Sequence, residues 1–442
     1  MFHEELRHRN SGDIFVRVLS IRLLDAYETV KRIDIVQFTG IVAIMYGCNS
    51  YFGLTMFDSQ PFPVMVAVAF LVLRIAAKKG EIKTPLLFVL FGFLIVSGIL
   101  LGAYFEFSVN MLFIRGVVNY GSIVIYLIAF YEYIKHYGFP IYPLVIINLL
   151  WLIVALIQMT GFDPVSFFVA GRTSPGRGVT SLGPEPSSFG FYLFFISWIY
   201  LLATEYNPPR WLLILIFING LSIVLVAVSA LTTLFLILSA IAVGFYNIKK
   251  LFNLRNFLIT VAMIIVVIFV LFTVLEGTRL ERLFYKLLNS DITLVLAEDR
   301  SVNSRLAHQV LPIYILIQNW GFPAGLQSFI SNVASLDPVI REFMWGNISD
   351  EKIMSWNATL LYELGVFGIL IWGLIYTFLT NGTWRRLLEI TMLFIFLFTS
   401  IPLSYPLIPL IFVIMYMTNK RHLRLKASLY KHRVKKSKPI VS

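Results

Sequence analysis

Long continuous apolar runs alternate with short polar breaks along most of the chain. Runs of this length match helices that cross a bilayer, whereas lipid-facing strands would alternate residue by residue. The pattern predicts about a dozen helical spans of roughly 15–25 residues. They start near Ile35, Phe62, Pro85, Met111, Ile141, Ser187, Trp211, Ala230, Asn256, Ser355, Leu387 and Tyr405. The stretch SIVLVAVSALTTLFLILSAIAVG is open to two readings, one long kinked helix or two short spans. Basic loops on both sides favour two. The expected fold is therefore an all-α polytopic membrane protein with about 12 transmembrane helices.

Polar residues mark the edges of this pattern. Residues 1–33 are charged, and within them Ile14, Phe15, Val18, Leu19, Leu23 and Leu24 recur at helical spacing, with Arg17 and Arg22 elsewhere on the wheel. This segment reads either as an amphipathic helix on an anionic leaflet or as an ordinary flanking helix. Residues 34–418 form the membrane domain, and residues 419–442 a tail that is strongly basic with no acid.

Charge then orients the spans. Alternate loops carry Lys78, Lys79 and Lys83; Lys135; Arg210; Lys249, Lys250 and Arg255; and Arg385 with Arg386. All fall on one side with the basic tail if both termini are cytoplasmic. The net charge of +12 thus reflects topology rather than nucleic-acid binding. Hydrophobic residues make up 58% of the chain and charged residues 14%, more apolar surface than a soluble protein of this length needs. The single cysteine, Cys48, allows no intramolecular disulfide and no thiolate cluster. The polar, basic start does not read as a cleavable signal peptide.

Two larger loops are left on the outer side, at about residues 160–186 and 276–354. Both carry arginines against the usual charge bias. The first, GRTSPGRGVTSLGPEPSSFG, displays Arg172 and Arg177 among helix-breaking glycines and prolines. Ser187 or Ser188 is the expected N-cap of the following helix, and helix N-termini and guanidinium forks both suit phosphate oxygens. Glu185, between two prolines, is a candidate base, or else a dipole or arginine partner. The second loop gives Arg300, Arg305 and His308, with Arg305 and His308 on one face if helical. His308 reads as a proton acceptor or as a surface residue without a role. The apolar LPIYILIQNW is too short to span and is expected to lie flat or re-enter the outer leaflet. Arg115, near the outer end of a span, is a functional candidate or a snorkelling side chain, and Arg74 is explained by snorkelling at the inner end. There is no Walker-type glycine loop, no HExxH and no paired CxxC, so neither a cofactor nor a metal is expected.

Several of these pieces together resemble the O-antigen polymerase and ligase superfamily of bacterial polysaccharide assembly. Arg172 followed by Gly183 is similar to that family's arginine-rich outer loop, and GPEPSSFG to its Glu-Pro-Ser stretch before a span. Arg305 followed by NWGFPAG, with Pro323 and Gly325, resembles its second arginine and proline-glycine turn. SWNATLLYELGVFGILI resembles its signature around Asn357, Glu363, Gly365 and Gly368. The ligases usually place a histidine just before that asparagine, and this chain has Trp356, which favours a polymerase.

The resemblance implies a GT-C-like membrane glycosyltransferase of the cytoplasmic membrane. Its donor would be a growing glycan on undecaprenyl diphosphate and its acceptor a repeat unit on the same carrier. A chain-length-determining co-polymerase and membrane lipids are the implied partners. Arg305 would meet the diphosphate. Arg172, Arg177, Arg300, Arg115 and Asn357 would contact glycan or phosphate. Glu185, or failing it His308, would be the base. The rival readings are an O-antigen ligase, a lipid-linked oligosaccharide flippase and a partner-binding membrane subunit. A flippase would need two similar halves, and no internal repeat is visible.

Overall fold

The computed structural model describes residues 33–49, 61–77, 81–105, 111–164, 178–246, 300–336, 353–380 and 382–419. The charged N-terminal segment, the predicted span at Asn256, most of the basic tail, and Arg172 and Arg177 lie outside the described residues.

Helices account for the regular structure of the described residues, and no strand occurs among them. They are α1 Ile35–Gly47, α2 Phe62–Ala76, α3 Leu86–Phe105, α4 Met111–Tyr137, α5 Ile141–Met159, α6 Pro186–Ala203, α7 Arg210–Leu225 and α8 Ala230–Tyr246. After the undescribed stretch follow α9 Arg300–Gln318, α10 Phe329–Ala334, α11 Trp356–Leu364, α12 Val366–Leu379 and α13 Trp384–Phe396, then α14 Leu407–Asn419. Wherever a predicted span is described, a helix begins within three residues of the expected start, but the single span expected from Ser355 is two helices, α11 and α12, broken at Gly365. The ambiguous stretch forms two helices, α7 and α8, separated by residues 226–229 with Val228 at φ 44°.

Among the described residues, four helices are long and apolar enough to cross a membrane: Leu86–Tyr104, Phe113–Tyr137, Ile141–Met159 and Pro186–Ala203. Their outer faces confirm what solvent they suit. On α3, Val89, Phe93, Val96, Leu100 and Tyr104 recur every three or four residues and are all exposed. Such a stripe is unstable against water and stable against lipid tails. The inward faces are aromatic. Trp151 of α5 stacks on Tyr192 of α6 with ring centroids 4.3 Å apart, and Phe235 of α8 stacks on Phe396 of α13 at 4.1 Å.

Lateral contacts sort the helix ends into two sets. Arg385, in the first turn of α13, lies 3.2 Å over the Tyr206 ring in the α6–α7 turn. Asn419 at the end of α14 donates to the Phe378 and Leu379 carbonyls at the end of α12. Phe88, Tyr131 and Tyr416 cluster near the start of α3 and the ends of α4 and α14. The described loop cations Lys83, Lys135, Arg210, Arg385 and Arg386 therefore share one end, the basic end. Here Arg74 corrects the snorkelling expectation. It is 1% exposed, and its Nε meets Glu132 Oε2 at 3.0 Å, while Lys135 takes the other carboxylate oxygen at 3.0 Å. A residue 58 positions away supplied the counter-charge, so the guanidinium has no need to reach solvent.

At the opposite end, the segment entering α6 is tied to both neighbours. The Val179 N–H donates to the Val226 carbonyl at 3.1 Å, and Gly178 is pressed so closely on the Val226 and Ala227 carbonyls that a Cβ has no room. Ser181 donates its hydroxyl to the Trp151 carbonyl at 2.6 Å. A smaller core of Ala307, Leu311, Ile315, Phe329, Val333, Ala358 and Tyr362 joins α9, α10 and α11 beside the main one.

Candidate functional site

The site lies where the start of α6 faces α9. Pro184 and Pro186 flank Glu185, which holds an extended backbone (φ −141°, ψ 155°) as the N-cap of α6, with Pro186 at the first helical position. This corrects the expected cap at Ser187 or Ser188. Proline needs no N–H partner and its φ suits the first turn, so the helix starts one residue earlier. Ser187 instead donates its hydroxyl to Glu185 Oε2 at 3.1 Å, which holds the carboxylate in place.

Arg305 approaches from α9. Its Nη2 lies 4.0 Å from Glu185 Oε2, and the two side chains are 29% and 32% exposed. The sequence separates them by more than a hundred positions. A half-exposed pair at this distance is worth only about 0–1 kcal/mol. It brings the two groups together at little energetic gain.

His308 is on the same helix but not on the surface, as one of the two expectations had it. It is 1% exposed and its ring sits 5.4 Å from Phe329, which meets Tyr362 edge-on. One turn beyond, Pro312 lies inside α9 and cannot donate to the His308 carbonyl. The burial follows from Ala307 and Leu311, whose stripe faces the small core and carries His308 with it. Arg300 starts α9, and its side chain lies outside the described residues. Arg115 is half-buried in the first turns of α4. Its neighbour Gly116 packs on Leu326 and Gln327 of the turn after α9.

Asn357 is placed in the interior rather than at a surface that a substrate reaches. It is fully buried, its Nδ2 donates to the Phe394 carbonyl and its Oδ1 accepts from Trp372 Nε1 at 3.0 Å. Trp356 is equally buried and donates its indole N–H to the Leu403 carbonyl at 3.0 Å. Both residues fasten α11 to the chain around residues 394–403.

The two remaining sequence motifs meet directly. Gly365 adopts φ 58°, and a Cβ there would come within 2.5 Å of the Gly321 carbonyl oxygen. The Val366 N–H donates to that same oxygen at 2.8 Å, and the Ala324 N–H to the Tyr362 carbonyl at 3.0 Å. Gly98 and Gly102 of α3 let Leu364, Pro323 and Gly325 pack against its backbone. Gln327, which sequence reasoning passed over, donates both its N–H (2.9 Å) and its side-chain amide (3.1 Å) to Glu363 Oε1. No sequence signal singles it out, because Gln327 stands beside Ser328 in a turn and its carboxylate partner is 36 positions away.

Among the described residues no three His, Cys, Asp or Glu side chains come together as a ligand set for a metal ion. Compared with protein-family models, with curated proteins and with solved structures, the chain matches none.

Proposed function

We propose that this protein is a membrane glycosyltransferase that extends a bacterial surface polysaccharide. It transfers the growing glycan from undecaprenyl diphosphate onto a repeat unit carried by the same lipid. In this reading about 12 spans form a GT-C-like fold in the cytoplasmic membrane, with both termini cytoplasmic and the Glu185–Arg305 end facing outward. The positive-inside bias of the basic end supports that orientation. The observation that carries the reading is the approach of Arg305 to Glu185 from two separate segments. It joins a guanidinium suited to a diphosphate with a carboxylate suited to accepting a proton, at one end of the bundle.

The chemistry is a single displacement. The acceptor hydroxyl oxygen attacks the anomeric carbon and forms the new glycosidic bond. The bond from that carbon to the diphosphate breaks, and its electron pair leaves on the diphosphate oxygen. The hydroxyl proton passes to Glu185. Inversion at the anomeric carbon follows. Negative charge grows on the leaving group, and Arg305 stabilises it there without a metal. A fixed donor at such a position is commonly worth about 3–4 kcal/mol. Arg172, Arg177, Arg300 and Arg115 contribute glycan or phosphate contacts. The burial of His308 favours Glu185 as the base, and the packed Trp356 offers no titratable group where the ligases carry histidine.

The test is reconstitution in liposomes with the lipid-linked repeat unit, with and without a chelator. A chelator-resistant ladder of lengthening glycans is expected. Transfer to added lipid A-core without a ladder would make the protein a ligase.

A further inference from the structure

We infer that Glu363 is a positioning residue: its carboxylate fixes the turn between α9 and α10, and so sets where α9 presents Arg305 to Glu185. The activity arm of this inference rests on the function proposed above, whereas its structural arm does not.

The turn is demanding. Between Trp320 and Gln327, four residues hold a left-handed backbone: Trp320 (φ 56°), Gly321 (φ 82°), Gly325 (φ 94°) and Gln327 (φ 58°). Trp320 and Gln327 have side chains that adopt this region rarely. Such conformations persist only where the surroundings over-determine them. Glu363 supplies that determination. It is 2% exposed, and one of its oxygens gathers both donors of Gln327. On α4, Gly116 packs against Leu326 and Gln327 of the turn. On either side, Gly365 seats on Gly321, and Gly102 on Pro323 and Gly325. The turn is thereby fixed to α3, α4 and α11 together.

From the turn the constraint passes along a continuous helix. α9 runs from Gln318 back to Arg300 and is held along its length by the small core. Arg305 lies 13 positions before the helix end, about 20 Å along the axis. A change of tilt at the turn therefore moves the guanidinium relative to Glu185. An ion pair at 4.0 Å cannot resist that motion by itself. A buried carboxylate within an apolar span is expensive to keep, and its cost is offset where it holds a functional element in place.

The experiment uses the full chain in liposomes with Cys48→Ser, and spin labels at Leu100→Cys on α3 and Ser331→Cys on α10, both exposed. The width of the label-to-label distance distribution reports whether the turn is fixed, and kcat and KM for glycan extension are read on the unlabelled variants. Glu363→Gln keeps an acceptor for Gln327, so a narrow distribution and nearly full kcat are expected. Glu363→Leu fills the space without an acceptor. A broad distribution and a kcat lower by about a hundredfold are expected, with KM little changed, as befits misplacement by an ångström or so. Should Glu363→Leu not accumulate as folded protein, Gln327→Ala removes the side-chain donor alone and gives the same broadening at smaller amplitude.

A narrow distribution with full kcat in Glu363→Leu overturns the inference. So does an equal loss in Glu363→Gln and Glu363→Leu, because the carboxylate then acts through its charge. A broadened distribution in Glu363→Leu, beside a wild-type protein that makes no glycan, supports the positioning role and sinks the polymerase reading alone.

Discussion

Arg305 Nη2 lies 4.0 Å from Glu185 Oε2, and each side chain is still about one-third exposed. An ion pair of this kind contributes little to stability. Removing either partner should therefore act on turnover and leave the fold alone. Arg305→Ala is expected to lower kcat by about 10²–10³-fold or more, the usual loss of a donor to developing negative charge. Arg305→Lys keeps the charge without the fork and should fall between. Unchanged thermal unfolding in both variants, measured beside the rate, checks that the effect is on chemistry.

Glu185 tests the other half of the pair. Glu185→Gln preserves shape and the Ser187 contact but accepts no proton. The expected loss in kcat is about 10²–10⁴-fold, typical of a missing general base. Substrate affinity is expected to change little. Turnover equal to wild type would assign the proton elsewhere.

His308 should behave differently from both. It is buried against Phe329 in the small core, so His308→Ala removes packing there. A clear drop in unfolding temperature is expected, from a cavity costing about 2–4 kcal/mol. The protein that remains folded should turn over within a few-fold of wild type. A stable but inactive His308→Ala variant would restore histidine as the base.

At the basic end, Arg74 and Glu132 form a buried pair. Arg74→Met leaves the buried carboxylate to Lys135 and His136 alone and should destabilise the protein, by less than the ~3–5 kcal/mol of a fully unpaired buried charge. Replacing both with apolar residues should recover much of that loss. Unfolding of the single and double variants in detergent reads the difference.

Gly365 is held at φ 58°, with the Gly321 oxygen where a Cβ would stand. Gly365→Ala is thus expected to destabilise by at least about 1–3 kcal/mol from the backbone alone. Lower accumulation of folded protein, with any surviving fraction impaired in glycan extension, is the result to look for.

Much of the fold was legible because lipid is an undemanding solvent. A helix that crosses it must stay apolar for its whole length, so helices starting at Ile35, Phe62, Met111, Ile141 and Ala230 could be read from hydropathy alone. The loop cations marked which ends belong together, and the Arg385–Tyr206 contact agrees. What could not be read were pairings between distant residues. Nothing near Arg74 in sequence announces Glu132, and nothing near Gln327 announces Glu363. Both pairs exist because separate helices pack side by side. His308 shows the same limit. Its polarity suggested a surface, but the face of α9 that carries Ala307 and Leu311 decides its burial. At the site itself, Glu185 and Arg305 were each visible as candidates from charge placement, and an arginine partner was one reading of Glu185, but which arginine it meets was not legible.

The most direct test of the central claim is glycan extension by wild-type and Arg305→Ala protein, in parallel, in liposomes supplied with the lipid-linked repeat unit. A ladder of lengthening glycans with wild type, and none with an equally folded Arg305→Ala protein, is the predicted result. Ladders of equal length from both would contradict it, since the guanidinium facing Glu185 would then have no part in the reaction.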